Sequence, residues 1–431
     1  MSSEKAGERR RIWSWALYDW ANSAFATTVM AGFFPTFFDK YWSAGVDAET
    51  STFRLGVANS LASLIIVVCA PILGAIADAG RLRKALLFGF MLLGSGTTGA
   101  LFFVGRGDWL AAAALFVLGS VGFMAANVFY DALLVDVAPP ERRDSVSALG
   151  YAMGYLGGGL LFALQVGWVL APGRFGFADA SGAVRVSFPT VAIWWLTFSL
   201  PLLLFVREPE RPPAPRGAIR GGIAELGATL RQARQLRVVF TFLLAYWLYI
   251  DGVDTVIRMA VKYGLSLGFA DTALITALLI TQFVGFPAAL AFGYFGNRFG
   301  TKASLLVAIG VYIAVTIGAV FMTEERHFYV LAVVVGLVQG GVQALSRSLY
   351  SCIIPADKSS EFFGLYNMLG KFAAVIGPVL VGAAALVAGS RLSILAILVL
   401  FVSGGALLVR VDVDEGRRRA AALRDAQGRE A

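Results

Sequence analysis

The segment "WALYDWANS", residues 15–23, places Asp19 and Asn22 inside a long stretch of apolar and aromatic side chains. Much later, "WLYIDGVDT", residues 247–255, repeats the pattern with a second acid at Asp251. A charged side chain at the depth of a bilayer costs about 3 kcal/mol or more unless it faces a cavity or a partner. The two segments therefore predict a fold that keeps polar groups away from lipid in two related copies.

The composition indicates an integral membrane protein. Of 431 residues, 58% are hydrophobic and 15% are charged, whereas soluble domains carry about 25% charged residues. A helix that spans the membrane needs about 20 mainly apolar residues. Twelve windows satisfy this requirement: 12–38, 53–77, 85–104, 109–138, 145–171, 188–206, 238–261, 271–295, 302–322, 328–354, 362–388 and 391–409. We therefore expect an all-α polytopic membrane protein with twelve transmembrane helices.

The positive charge is distributed asymmetrically between the loops. With the N-terminus placed in the cytoplasm, 25 of the 36 Lys and Arg residues fall in the inner segments and 8 in the outer loops. This bias predicts that both termini are cytoplasmic, and we expect the bacterial plasma membrane as the location. The net charge of +8 is thus a topology signal with some attraction to anionic lipid, and it does not indicate nucleic acid as a partner.

A polar stretch at residues 207–237 divides the twelve windows six and six. The predicted organisation is a cytoplasmic N-tail (1–11), a first six-helix bundle (12–206), a cytoplasmic linker (207–237), a second six-helix bundle (238–410) and a cytoplasmic C-tail (411–431). Residues 219–236 fit either a short amphipathic helix on the membrane surface or a mobile loop.

The two halves repeat three segments in the same order. Besides the opening pair, "GAIADAGRLRK" (74–84) aligns with "GYFGNRFGTK" (293–302), and "NVFYDALLVDVAPPER" (127–142) aligns with "QALSRSLYSCIIPADK" (343–358). An internal repeat with an even number of helices predicts two pseudo-symmetric bundles related by an axis along the membrane normal. The solute site of such proteins lies between the bundles, near the middle of the membrane.

The first pair of loops resembles the cytoplasmic signature of the major facilitator superfamily, roughly G-x-x-x-D-R-x-G-R-[RK], although the second copy has Asn297 in place of the acid. From about residue 12 to 410, segments such as "WALYDWANSAF", "FYDALLVDVAP" and "YIDGVDTVIRMA" resemble the vacuole-effluxer branch of that superfamily, also called the unknown-major-facilitator family. The resemblance implies the major facilitator fold with its first and seventh helices facing a central cavity. Eukaryotic members are similar to an autophagy-related permease thought to release amino acids from the vacuole, which makes amino acids candidate solutes.

Polar and charged residues inside the windows are the expected solute and proton sites. They are Asp19, Asn22, Asn127, Asp131, Asp251, Asp254, Arg258, Gln343, Arg347 and Lys371. Asp251 or Asp254 is the expected titrating acid, because a desolvated carboxyl group has a raised pKa unless a cation offsets it.

Several of these residues have alternative interpretations. Asp254 and Arg258 are four residues apart, so they could neutralise each other as a structural pair. Asp131 and Arg347 occupy equivalent places in the two halves, where they could bind the amine and carboxylate of a zwitterion or form an interdomain lock. Lys371 would be a counter-ion for an inward acid or a contact to the solute.

The repeated loops predict a gate on the cytoplasmic side. Its expected members are Gly74, Asp78, Arg81, Arg83, Asp136, Gly293, Asn297, Arg298, Gly300, Lys302 and Glu361. The resemblance implies that Asp78 caps the positive N-terminus of the eleventh helix near Glu361. Arg81 or Arg83 would pair with Asp136.

These features predict a secondary active transporter that moves a small polar solute by alternating access. Proton coupling is the working hypothesis, with Na⁺ or no coupling ion as alternatives. The rivals are an exporter of drugs or other lipophilic compounds, which would need a larger apolar pocket, and a membrane sensor that does not transport.

The sequence contains no G-x-x-x-x-G-K-[ST] loop, so the chain is not expected to hydrolyse ATP. Its one histidine, His327, lies in a predicted outer loop and cannot serve a Ser–His dyad within the membrane. We expect no enzymatic activity, no cofactor and no metal site, and a monomer whose partners are a small-molecule solute, the lipid bilayer and, on the coupling hypothesis, protons.

Overall fold

The computed structural model describes residues 2–208, 236–266 and 271–427. Within these ranges the chain is almost entirely helical and contains no β-strand. The prediction of an amphipathic helix or loop at 219–236 lies outside the described residues except for its last position. The prediction of an all-helical protein is confirmed.

A helix covers each of the twelve predicted windows. The first, α1 (Ser2–Ala24), continues in helical form to Trp42 through two π-helical stretches, Phe25–Phe33 and Phe38–Trp42. The others are α2 (Ala48–Gly80), α3 (Arg83–Ala100), α4 (Trp109–Val137), α5 (Arg143–Leu170), α6 (Ala180–Phe205), α7 (Arg237–Ser266), α8 (Asp271–Phe299), α9 (Thr301–Ala319), α10 (Glu325–Ile353), α11 (Ser359–Leu392) and α12 (Ile397–Val409). A thirteenth helix, α13 (Val413–Gln427), follows.

Nine helices of the described chain, α2 to α10, are individually long and apolar enough to cross a membrane. A tenth is added when Ser393–Val409 and Val413–Ala422, which meet at a bend of 59°, are taken as one span. The other helices have identifiable reasons for not qualifying alone. The α-helical part of α1 includes the polar N-tail, α12 has only 13 residues, and the side chains of α11 are described only in part.

Buried apolar side chains form two separate cores. One core consists of residues between Ile12 and Val206, and the other of residues between Leu236 and Val411 together with Ala132. We call residues 12–206 the first half and residues 238–410 the second half. Each half therefore buries its own apolar faces, and the halves meet mainly through α5 against α8 and α2 against α11.

Glycines allow the two halves to approach closely. A Cβ atom at Gly74 of α2 would overlap the carbonyl oxygen of Ser360 at the start of α11. A Cβ atom at Gly293 of α8 would lie 2.5 Å from the Cβ of Ala148 in α5. Close approach of backbones is a main source of helix association where lipid removes the hydrophobic driving force.

Both chain ends lie on one side of the molecule, which we call the terminal face. Glu8 pairs with Arg142 at 2.7 Å between α1 and the α4–α5 loop. At the second half, Lys302 Nζ donates to the carbonyl oxygens of Val409 and Val411 at the end of α12, at 2.6 and 2.8 Å. The other side is called the opposite face.

Candidate functional site

A polar cavity of about 350 Å³ lies between the two halves. Its walls come from α1, α4 and α5 of the first half and from α7, α8, α10 and α11 of the second. Eight of the sequence-predicted site residues line it: Asp19, Asn22, Asn127, Asp131, Asp254, Gln343, Arg347 and Lys371. Arg258 belongs to α7, but its side chain lies outside the described part of the chain.

Arg347 of α10 joins the two halves electrostatically. Its Nη1 lies 3.0 Å from Asp131 Oδ1 of α4, and both of its terminal nitrogens lie 3.4 Å from Asp19 Oδ2 of α1. The guanidinium belongs to the second half and both carboxylates belong to the first. We call these three residues the ion cluster. Asp131 and Arg347, at equivalent places in the repeat, thus contact each other directly in this structure.

The guanidinium of Arg347 is held on every side. Its Nε donates to the Ser147 hydroxyl at 2.9 Å and its Nη2 donates to the Ser147 carbonyl oxygen at 2.9 Å. Trp15, Tyr130 and Tyr151 present their ring faces to it, with centroids 4.9, 5.3 and 4.3 Å away. Arg347 is only 1% exposed, and the aromatic faces attract the desolvated cation.

Each carboxylate of the ion cluster has an additional donor. Tyr130 donates its hydroxyl to Asp19 Oδ2 at 2.8 Å, which stays within the first half. Asn367 of α11 donates to Asp131 Oδ2 at 3.2 Å, which crosses to the second half. Removing one partner of a buried pair is strongly unfavourable, by about 3–5 kcal/mol. The cluster therefore stabilises the association of the halves as they are arranged here.

The rest of the cavity is dominated by neutral hydrogen-bonding groups. Asn22 donates to the Asn127 amide oxygen at 2.6 Å within the first half. Gln282 of α8 donates to the Thr27 hydroxyl at 2.9 Å and so connects the halves. The rings of Tyr246, Tyr151, Tyr155 and Tyr366 also belong to the walls. Such a lining suits a solute with several hydrogen-bonding groups and a compact polar part.

Asp251 departs from the sequence expectation. Its side chain is fully buried but lies outside the cavity lining. Both carboxylate oxygens accept the backbone N–H of Gly377 in α11, at 3.0 and 3.2 Å. Asp254, three residues later, faces the cavity. The two acids therefore have different environments: Asp254 lines the cavity, whereas Asp251 is buried between α7 and α11.

Beneath the cavity, at the terminal face, a second group of charges crosses between the halves. Arg83 donates to Asp78 Oδ1 from Nε and Nη2, at 2.8 and 2.6 Å, and to Asp136 Oδ2 from Nη1, at 2.8 Å. Asp78 Oδ2 accepts the backbone N–H of Glu361 at 2.9 Å, at the N-terminus of α11. Arg83 also donates to the Asp357 carbonyl oxygen at 3.3 Å. We call Asp78, Arg83, Asp136 and Glu361 the terminal latch.

Arg83, and not Arg81, is the partner of Asp136. Arg81 takes up a left-handed backbone conformation with φ 55° and ends α2. The sharp turn places the next basic residue, Arg83, against the two acids. The sequence predicts that Arg81 or Arg83 pairs with Asp136, because the spacing alone does not show which arginine lies in the turn.

The equivalent loop of the second half forms weaker, mostly neutral contacts. Asn297 donates to the Ser145 hydroxyl at 2.5 Å, and Thr301 donates to Asp144 Oδ2 at 2.7 Å. Arg298 is exposed, and Gly300 provides the positive φ of 95° that precedes α9. An amide at position 297 therefore replaces the acid found at Asp78, and the acid of this second contact comes from Asp144 of the first half.

Several site residues were not singled out from the sequence. Tyr130, Ser147 and Asn367 complete the ion cluster, and Gln282 joins the halves higher in the cavity. Asn367 and Gln282 could have been found, because both are amides inside predicted membrane windows. Ser147 offered no such signal, since serine is tolerated in most membrane helices.

Comparisons with known proteins agree with this architecture. The family profile described as "Vacuole effluxer Atg22 like" matches residues 7–421. The uncharacterized MFS-type transporter YxiO of Bacillus subtilis (strain 168) is 37% identical over 401 residues, covering 92% of this chain and 94% of that protein. Autophagy-related protein 22 of Coccidioides immitis (strain RS) is 26% identical, covering 89% and 76%.

Solved structures share the fold at low sequence identity. The major facilitator proton:xylose symporter XylE, bound to 6-bromo-6-deoxy-D-glucose, superimposes with a TM-score of 0.68 at 15% identity, covering 94% of this chain and 95% of that chain. The human organic anion transporter MFSD10 gives a TM-score of 0.68 at 15% identity, covering 93% and 99%. The predicted major facilitator fold is thereby confirmed. With a family profile spanning nearly its whole length, the chain belongs to the vacuole effluxer Atg22-like family of major facilitator transporters.

Proposed function

We propose that this transporter is a secondary active carrier that moves a small polar solute through the central cavity by alternating access, with protons as the coupling ion. Its two six-helix bundles, joined by the linker at 207–237, would rock against each other as a monomer in a bacterial plasma membrane. The observation that carries the proposal is the ion cluster, in which Arg347 of one half binds Asp19 and Asp131 of the other at the base of a polar cavity.

The cluster supports a coupling role because its charges do not balance. One guanidinium faces two carboxylates, so a proton on either acid weakens the attraction between the halves. Asp131 makes its contacts to α10 and α11, both in the second half. Protonation of Asp131 would therefore release two interactions that hold the halves together. Asp19 retains Tyr130 from its own half.

The terminal latch supports a gating role. Asp78 of α2 accepts the N–H of Glu361 at the start of α11, and Arg83 of α3, which Asp136 of α4 also binds, donates to the Asp357 carbonyl oxygen. The cavity lies between this latch and the opposite face. The bias of 25 to 8 in Lys and Arg supports a cytoplasmic terminal face. In this arrangement the structure corresponds to a state closed toward the cytoplasm. Opening that side requires the latch and the ion cluster to separate.

Amino acids are the candidate solutes, on family grounds and because the cavity offers both acidic and basic groups. Asp131 and Arg347 bind each other, so an incoming zwitterion would have to exchange with these contacts. A second pocket of about 160 Å³, with a mostly apolar lining within the second half, shares Gln282 and Gln339 with the cavity. This pocket is the observation on the side of an exporter of lipophilic compounds, although its volume is less than half that of the polar cavity.

Counterflow in proteoliposomes tests the proposal. The purified protein is reconstituted into liposomes. Each batch of liposomes is loaded with one unlabelled amino acid or lipophilic cation, and entry of the same compound in labelled form is followed. Exchange of an amino acid is expected in the wild type, with a loss of at least about tenfold in Arg347→Ala, since about 1.4 kcal/mol already corresponds to a tenfold change.

Matched controls come from the exposed α3–α4 loop. Arg106→Ala and Asp108→Asn remove the same kinds of charge at exposed positions and should retain wild-type exchange. Unchanged exchange in Arg347→Ala would contradict the assignment of the ion cluster. Exchange of lipophilic cations alone would favour the exporter.

A further inference from the structure

Asp251 lies on α7 beside the face that lines the cavity, and it is not part of the lining. The cavity-lining residues of this helix are Tyr246, Ile250, Asp254 and Ile257, which are spaced three or four residues apart and so share one helical face. Asp251 is directed toward α11, where it is fully buried against Gly377. The acid at this position therefore contacts another helix of the same half.

The contact lies next to a proline in α11. The N–H of Gly377 donates to both carboxylate oxygens of Asp251, at 3.0 and 3.2 Å. The next residue in the sequence is Pro378, which has no N–H to donate to the carbonyl oxygen four residues earlier. One backbone hydrogen bond is therefore missing from the α11 ladder directly beside the contact with Asp251.

Position 377 accepts no side chain in this arrangement. A Cβ atom there would overlap the hydroxyl oxygen of Thr255 and lie 2.8 Å from Asp251 Oδ1. Thr255 itself donates to Asp251 Oδ1 at 3.3 Å. The glycine, the threonine and the aspartate therefore form one fitted contact between α7 and α11.

Gly377 separates two parts of α11 that make different contacts. On the terminal side are Glu361 of the terminal latch and the cavity residues Asn367, Gly370 and Lys371. Beyond Gly377 the helix continues to Leu392 at the opposite face. We propose that Asp251 is a positioning residue, which holds α11 at Gly377 and so sets the angle between its two segments. In this role the carboxylate acts as a hydrogen-bond acceptor and neither binds the solute nor carries the coupled proton.

Pulsed EPR on the full-length protein in nanodiscs tests this role without a known solute. Cys69 and Cys352 are replaced by serine, and spin labels are attached at Phe321→Cys on the segment after α9 and Leu392→Cys at the end of α11, both exposed. The wild-type background should give one narrow distance. Asp251→Asn keeps an acceptor oxygen and should reproduce it at acidic and neutral pH.

Two variants should lose the narrow distance. Asp251→Ala removes the acceptor, and Gly377→Ala forces α11 away from Thr255 while leaving the Asp251 charge intact. Asp254→Asn, on the cavity face of α7, serves as the matched control and should keep the wild-type distance. If Asp251→Ala does not fold, the comparison of Asp251→Asn with Gly377→Ala still decides the question.

Three outcomes would overturn the proposal. A broadened distance in Asp251→Asn would mean that the charge, not the acceptor, matters. A native distance in both Asp251→Ala and Gly377→Ala would show that the contact does not set the helix angle. A distance that changes with pH in the wild type but not in Asp251→Asn would identify Asp251 as a titrating switch. None of these results depends on whether the central cavity transports an amino acid.

Discussion

At the scale of single residues, Arg347 pairs with two acids across the boundary between the halves. It satisfies two carboxylates that would otherwise be buried without a cation of their own. The cost of a buried charge depends on its partners more than on its depth. Variants that remove one partner should therefore be worse than variants that remove a matched pair.

We predict that, in detergent, a variant lacking only Arg347 is thermally less stable than a variant in which Arg347 and one of its acids are both replaced. Arg347→Ala should destabilise the protein by about 3 kcal/mol or more, because two buried acids lose their cation. The double variant Asp131→Asn with Arg347→Gln should be less destabilised, since only one buried carboxylate, Asp19, then loses its cation and it still accepts from Tyr130. Melting curves followed by tryptophan fluorescence provide the measurement. A double variant that melts at or below Arg347→Ala would contradict this account of the ion cluster.

The sequence predicts most of the polar residues that line the cavity, but it does not show which neighbouring residue lies just outside the lining. Asp19, Asp131 and Arg347 were identifiable because charge within a membrane window needs a reason. Asp251 and Asp254 satisfied the same criterion, yet they differ by about 60° around α7. Whether that angle falls inside or outside the cavity depends on where α11 lies, which no spacing within α7 can reveal.

At the scale of helices, the closest approach at the terminal face is described by the contact between α2 and α11, where the two backbones leave no room for a side chain. Gly74 meets the Ser360 carbonyl, and Gly364 meets the backbone of Ala70 and Pro71. The repeat in the sequence predicted a loop signature here, and the twelve windows predicted the helices themselves. The close approach of the two backbones could not be predicted from the sequence, because a glycine in a helix can mark either a bend or a contact with another helix.

We predict that Gly74→Ala opens the terminal face. Its methyl group cannot be placed without moving Ser360, so the population closed at the latch should fall. With Cys69 and Cys352 replaced by serine, labelling of a buried Ser359→Cys by a maleimide should become several-fold faster than in the parent. Gly56→Ala on the same helix, where a Cβ meets nothing within 4 Å, is the control. Equal labelling rates in both variants would show that this contact does not govern closure.

At the scale of the whole molecule, the distribution of charge sets which side faces the cytoplasm. The segments predicted to be cytoplasmic carry 25 of the 36 Lys and Arg residues, and translocation of such segments is disfavoured. We predict that a cysteine at Ala422, in α13, reacts with a membrane-impermeant thiol reagent in inverted vesicles and not in intact cells. A cysteine at exposed Phe53 should show the reverse. Labelling of Ala422→Cys in intact cells would require the opposite topology.

Transport by alternating access further requires the two halves to separate at the terminal face. Asn297 of α8 and Ser145 of α5 are in direct contact there, between the second and first halves. In the same cysteine-replaced background, Asn297→Cys and Ser145→Cys joined through two disulfides by a short bis-methanethiosulfonate reagent should hold that side closed. Solute exchange, measured by counterflow, should then fall to the level of empty liposomes and return on reduction. Each single cysteine treated with the same reagent should keep its exchange activity, because one modified side chain does not connect the halves. Full exchange in the cross-linked double variant would mean that the solute passes without opening this interface, and a rocking mechanism would no longer describe this transporter.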